Sequence, residues 1–177
     1  MVSETARRRF EAIVPPLVDD AYALAKWLAG DAADAEDIAQ EAALRALKAL
    51  ETAAVERPRA WFLAIVRNTA MTWLARNRGK GLAFAGDGAD LDALGGERTD
   101  EPEPSPEQIL IAAEDGARVR AAIAALPRAL KETLVMRDVN GLSYRDIAAA
   151  TAAPIGTVMS RLARARAALA RALRDAS

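Results

Sequence analysis

Residues 154–174 read PIGTVMSRLARARAALARALR. Ile155, Val158, Leu162, Ala165, Leu169 and Leu173 recur at three- and four-residue intervals, which puts them on one face of an α-helix. Thr157, Ser160, Arg161, Arg164 and Arg171 fall on another face, and the stretch holds five arginines and no acidic residue. Nowhere does the chain alternate β-branched and polar residues over the length a strand needs. The patterning therefore predicts an all-α protein.

A charge-segregated middle divides that protein in two. Residues 1–78 carry 11 basic and 11 acidic side chains, 79–116 carry 2 and 10, and 117–177 carry 11 and 4. The whole-chain net charge of −1 hides a segment at −8 beside a half at +7. The Gly-, Pro-, Asp- and Glu-rich stretch at 79–105 reads as an acidic flexible linker. Two small helical domains are expected around it, at 1–78 and 106–177. Helices are predicted at about 7–29, 32–50 and 59–77, then at about 106–125, 128–138, 143–151 and 155–174. Pro106, Pro127 and Pro154 suit helix starts. Asn140-Gly141 reads as a turn, and Ser143 with Asp146 as a capping box.

Composition excludes much chemistry. The chain has no Cys and no His. That removes disulfides, thiolate nucleophiles, zinc sites with Cys or His ligands and the commonest general base. No glycine-rich phosphate loop and no nucleophile elbow occurs. No catalytic residue, cofactor or metal site is expected. The longest apolar run, AWFLAIV at 60–66, is too short to span a bilayer, and the N-terminus lacks the uninterrupted apolar run of a signal peptide. A cytoplasmic protein without membrane insertion is expected.

A short capped helix at 143–151, a turn at Ala152-Ala153 and an arginine-faced helix at 155–174 have the layout of a helix-turn-helix. In that motif the second helix enters the major groove by its N-terminal end. Arg161, Arg164 and Arg171 can supply donors to phosphates and base edges. Thr157 and Ser160 are short enough for close approach, and Pro154 and Gly156 keep the helix start free of bulk. The plain alternative for this helix is a solvated arginine face. Ala152 stands where such turns often place Gly, so it costs about 1 kcal/mol or the turn takes another shape.

Two segments together carry a resemblance. DAEDIAQEAALRALKAL (34–50) with RPRAWFLAIVRNTAMTWLARNR (57–78) is similar to the second conserved region of bacterial sigma factors. ALPRALKETLVMRDVNGLSYRDIAAATAAPIGTVMSRLARARAAL (125–169) is similar to the fourth. With the third region replaced by the acidic linker, the chain resembles the extracytoplasmic-function (ECF) sigma factors. The resemblance implies a promoter-recognition subunit. Its partners would be core RNA polymerase (β′ clamp helices and β subunit), promoter DNA and an anti-sigma factor on another chain.

Site residues follow from that resemblance and from the residue types. Asp34, Asp37, Gln40 and Glu41 match the acidic and amide positions implied to dock on the clamp helices. By themselves they belong to a polar helix stripe, of the kind that is often only solvated. Arg57, Arg59, Trp61, Asn68, Trp73 and Arg76 are expected at the −10 element, where rings stack unpaired bases and arginines hold phosphates. Trp61 and Phe62 suit a core equally well. Pro154, Thr157, Ser160, Arg161, Arg164 and Arg171 are expected at the −35 element. Met159 and Ala163 depart from the family pattern, which implies an individual −35 preference. The competing reading is a helix-turn-helix transcription regulator that acts without binding the polymerase core. The linker is expected to be mobile in the free protein and drawn out on polymerase, with Asp87, Asp90, Asp92, Glu101 and Glu103 supporting initiation. The element centres, about 25 base pairs apart, are ~85 Å from each other, against an r.m.s. linker span of ~30 Å.

Overall fold

The computed structural model describes residues 2–77 and 116–175. The linker, the predicted helix start at Pro106 and Arg78 lie outside the described residues. Every regular element among those described is helical.

Helix α1 spans Glu4–Ile13, a 3-10 turn follows at Pro15–Leu17, and α2 spans Val18–Ala29. The continuous helix predicted at 7–29 is thus two helices. Apolar spacing runs through the break, but Pro15 and Pro16 have no N–H to donate, and proline disfavours helical backbone before it. The left-handed Gly30 (φ 78°) ends α2. Asp31 caps α3, Ala32–Ala49, by accepting from the N–H groups of Ala33 and Asp34. Helix α4 spans Pro58–Asn77. Helices α2, α3 and α4 pack on one another, and α1 lies on α3. Arg9 ties the end of α3 to α1 by donating to the carbonyls of Leu50 (2.8 Å) and Ala53 (2.6 Å).

In the C-terminal half, α5 spans Gly116–Ala124 and α6 spans Arg128–Leu134. The predicted helix to 138 loosens after Leu134 into a π-helical turn, Val135–Val139, where Asn140 donates to the Val135 carbonyl at 3.0 Å. Gly141 takes φ +69° in the expected turn. Helix α7 spans Tyr144–Thr151 and α8 spans Ile155–Asp175. The buried face of α8 is Val158, Leu162, Ala165 and Leu169, four of the six residues that the spacing nominated. It packs on α5, α6 and α7.

Helix α4 explains why the halves meet. Phe62, Leu63, Val66, Thr69, Ala70 and Leu74 are buried along one face of it, and Ala60, Trp61, Ala64, Ile65 and Met71, partly buried against the core, lie on its other sides. A helix apolar on several sides needs cover on several sides. Helices α2 and α3 cover two of them, and α7 packs against α4 from the other half. Helix α2 likewise packs against α6 and the π-helical turn. The buried apolar residues of both halves form one continuous cluster.

Candidate nucleic-acid interface

The helix-turn-helix is built from local signals. Ser143 Oγ accepts from the Asp146 N–H at 3.1 Å and donates to Asp146 Oδ2 at 2.8 Å, which starts α7. Ile147 and Ala150 anchor α7 in the core. Ala152 then takes φ 52°, ψ 37°, the left-handed conformation the turn requires without the usual glycine. Val158 and Leu162 seat the first turns of α8 on the core. Pro154, Gly156 and Ser160 are exposed, and Thr157, Arg161 and Arg164 are half-buried. A Cβ at Gly156 would meet nothing within 4 Å, so no neighbour in the protein demands its smallness. Ser160 Oγ donates to the Thr157 carbonyl at 3.0 Å. Arg171 is exposed three turns further on.

One of the five arginines of α8 does not face outward. Arg166 turns inward, and its Nη2 lies 3.1 Å from Asp138 Oδ1 on the π-helical turn. Both side chains are mostly buried, and burial raises the Asp138 carboxyl above its usual range against the opposing pull of Arg166. Two exposed apolar side chains, Ile155 (47%) and Met159 (52%), lie one turn apart at the N-terminal end of α8. They lie beside the exposed Ser160 and Gly156.

On α3, Asp37 and Gln40 are exposed, while Asp34 and Glu41 are half-buried. Glu41 is held by Arg45 at 2.8 Å, and that hydrogen bond keeps its carboxyl below the usual range. Leu44, 57% exposed, follows on the same face at i+4 from Gln40 and i+7 from Asp37. No local rule separated it from the core leucines.

The residues expected at the −10 element are dispersed, Arg57 just before α4 and the others along its 20 residues, which span about 30 Å. Phe62 is core. Trp61 and Trp73 are half-buried and pack against the core, with the Trp73 indole N–H enclosed. Asn68 and Arg76 are exposed. Arg57 and Arg59 are engaged by the other half. Arg57 pairs with Asp146, and Arg59 donates from Nε to the Asn140 carbonyl at 2.8 Å while pairing with Asp20 at 3.1 Å. Among the described residues, no acidic cluster converges where a metal ion could be held, and no helix is long and apolar enough to cross a membrane.

A helix-turn-helix with an arginine-bearing second helix, packed on a helical unit whose α3 exposes a polar face, is the architecture of a helical DNA-binding protein. The sigma-70 region 2 family matches residues 14–80, and the sigma-70 region 4 family matches residues 116–169. The RNA polymerase sigma-H factor of Pseudomonas aeruginosa is 32% identical over 94% of this chain and 87% of its own length. The ECF RNA polymerase sigma factor SigE of Mycolicibacterium smegmatis is 31% identical over 92% of this chain, which spans 61% of that relative. In fold, the chain is similar to the sigma factor RpoE of Bartonella quintana, solved with the anti-sigma factor NepR. That match has TM-score 0.70 and 24% identity, over 94% of this chain and 98% of the other. CnrH, solved with the cytosolic domain of CnrY, matches at TM-score 0.64 with 24% identity, over 97% and 91%. The chain belongs to the ECF sigma factors of RNA polymerase.

Proposed function

We propose that this chain joins core RNA polymerase in the cytoplasm and directs it to promoters as a non-catalytic subunit. The single observation that carries the reading is the seating of α8. Its apolar stripe is buried behind a capped α7 and a left-handed Ala152, which leaves Ser160, Arg161 and Arg171 on the outward side. The C-terminal domain, 106–177, reads the −35 element as duplex through Pro154, Thr157, Ser160, Arg161, Arg164 and Arg171. Ile155 and Met159 add apolar contact of the kind that suits thymine methyl groups. The N-terminal domain, 1–78, docks on the β′ clamp helices through Asp34, Asp37, Gln40 and Glu41, and Leu44 lies within that face. Residues Arg57, Arg59, Trp61, Asn68, Trp73 and Arg76 serve the −10 element. The half-burial of Trp61 and Trp73 favours a supporting role for their rings, with the arginines holding phosphates. Residues 79–105 join the two domains. An anti-sigma protein on another chain is a further partner, by likeness to relatives solved with one.

The test is reconstitution. Core polymerase mixed with the purified chain should co-elute with it on size exclusion and give run-off transcripts from a promoter selected by the chain itself. Failure to co-elute overturns the core-binding role. Co-elution without any selected promoter overturns the recognition role.

A further inference from the structure

Helices α2, α5 and α6 border a cavity of about 700 Å³, a volume that suits a small molecule. On α2 its wall is Tyr22, Lys26 and Gly30, which recur every four residues along one side of the helix, with Trp27 beside them. On α5 the wall is Arg120, Ala121 and Ala124, and on α6 it is Arg128 and Lys131. The alanines and Gly30 leave space that larger side chains would fill.

The charge of this wall is one-sided. Lys26, Arg120, Arg128 and Lys131 line the cavity, and among the described residues no acidic side chain does. The ion pairs elsewhere between the halves are matched, Arg57 to Asp146 and Arg67 to Glu132. Lys131 is half-buried with no such match among the described residues, and burial alone pushes its ammonium below the ordinary lysine range. A desolvated cation without a counterion costs the folded chain free energy, and a bound anion offsets that cost. The second component of the wall is aromatic. Tyr22 and Trp27 are both half-buried, and Lys26 Nζ lies 5.7 Å from the centre of the Tyr22 ring, so a ring and a cation already stand together.

We infer that this cavity binds a nucleoside polyphosphate, with its base against Trp27 and Tyr22 and its phosphates on Lys131, Arg120 and Lys26. A lone carboxylate would match one of the four cations, whereas a chain of phosphates carries charge and acceptor oxygens for several. The base supplies the planar surface that aromatic walls hold and that bare phosphate lacks. The site is separate from the outward side of α8 and from the polar face of α3. Its ligand touches α2 of one half and α5 and α6 of the other, so binding stabilises the packing of the two halves by mass action. A small anion thereby becomes an input to the chain.

The experiment titrates the full chain, without polymerase, with ATP, adenosine, tripolyphosphate and a short polyglutamate peptide in a calorimeter. ATP should bind one to one and raise the melting temperature. Adenosine and tripolyphosphate should each bind at least about tenfold more weakly, because each lacks one set of contacts. Lys131→Gln and Arg120→Gln should each weaken ATP binding about tenfold. Both variants should stay folded, since the first removes a desolvated charge and Arg120 is exposed. Ala124→Trp, made at an exposed position, should fill the cavity and abolish binding without altering charge. Lys48→Gln, at an exposed lysine of α3 outside the cavity, should bind ATP as the native chain does. ATP binding that survives Lys131→Gln and Ala124→Trp overturns the site, as does the lack of saturable ATP binding. Tripolyphosphate binding as tight as that of ATP overturns the role of the base. Polyglutamate binding tighter than ATP overturns the ligand class in favour of an acidic polypeptide.

Discussion

Five arginines occupy α8, and burial separates them. Arg166 points inward to Asp138, while Arg161 and Arg164 sit half-buried nearer the helix start and Arg171 is exposed. Arg161→Ala or Arg164→Ala should cost about 1–3 kcal/mol of promoter affinity if the contact is to a base, or lower the salt slope by about one if it is to a phosphate. Competition binding of the holoenzyme at several salt concentrations distinguishes these, with core binding unchanged. Asp138 bears on stability instead. Its carboxyl is raised by burial, so the folded chain holds that proton to higher pH than the unfolded chain does. Between the ordinary carboxylate value and the raised one, the native state binds more protons, and this group's contribution to stability falls as pH rises. Asp138→Asn should flatten that fall, seen as a smaller change in denaturation midpoint as pH rises from the ordinary carboxylate range towards neutrality. It should also lower stability at neutral pH, because it leaves Arg166 mostly buried beside an uncharged amide.

At the scale of elements, the turn between α7 and α8 carries a local conflict. Ala152 holds a left-handed conformation that costs an L-residue roughly 1–2 kcal/mol. Ala152→Gly relieves that strain but raises the entropy of the unfolded chain by about 0.5–1 kcal/mol. The net expectation is a gain of up to about 1 kcal/mol, and Ala152→Val should lose more than either change gains. Thermal melts of the three proteins decide it. Helix α3 carries the opposite kind of feature, a face with no folding task. Asp37 is exposed, so Asp37→Arg should leave the melting temperature nearly unchanged. The same change should weaken assembly with core polymerase in a pull-down. Full assembly by Asp37→Arg would remove α3 from the docking surface.

At the scale of the molecule, closure matters most. The halves share one apolar cluster and the ion pairs Arg57–Asp146 and Arg67–Glu132, a seam that keeps the two surfaces proposed to face DNA from standing ~85 Å apart. The free chain should therefore bind a promoter duplex weakly at physiological salt in a gel shift, and tightly once core polymerase is added. Tight sequence-specific binding by the free chain would show that closure does not limit it. The seam also predicts sensitivity to salt. The Arg57–Asp146 pair, with Arg57 55% exposed, is screened more readily than Arg67–Glu132.

Helix type, the arginine face and the capped turn were legible in the sequence because their causes are local. Spacing of Val158, Leu162, Ala165 and Leu169 is read within one helix, and the Ser143 cap within four residues. Pro15 and Pro16 were visible too, but apolar periodicity outweighed them in the reading of a single helix at 7–29. Burial of Arg166 was not legible, since nothing in a run of similar arginines says which one meets an acid 28 residues earlier. The arginine seam was beyond reach altogether. Arg57 finds Asp146 across 89 residues, and Arg67 finds Glu132 across 65. Local propensity has no term for such pairs. They form because α4 is apolar on more sides than its own domain covers, and burying the remaining side brings the other half's oxygens to its arginines.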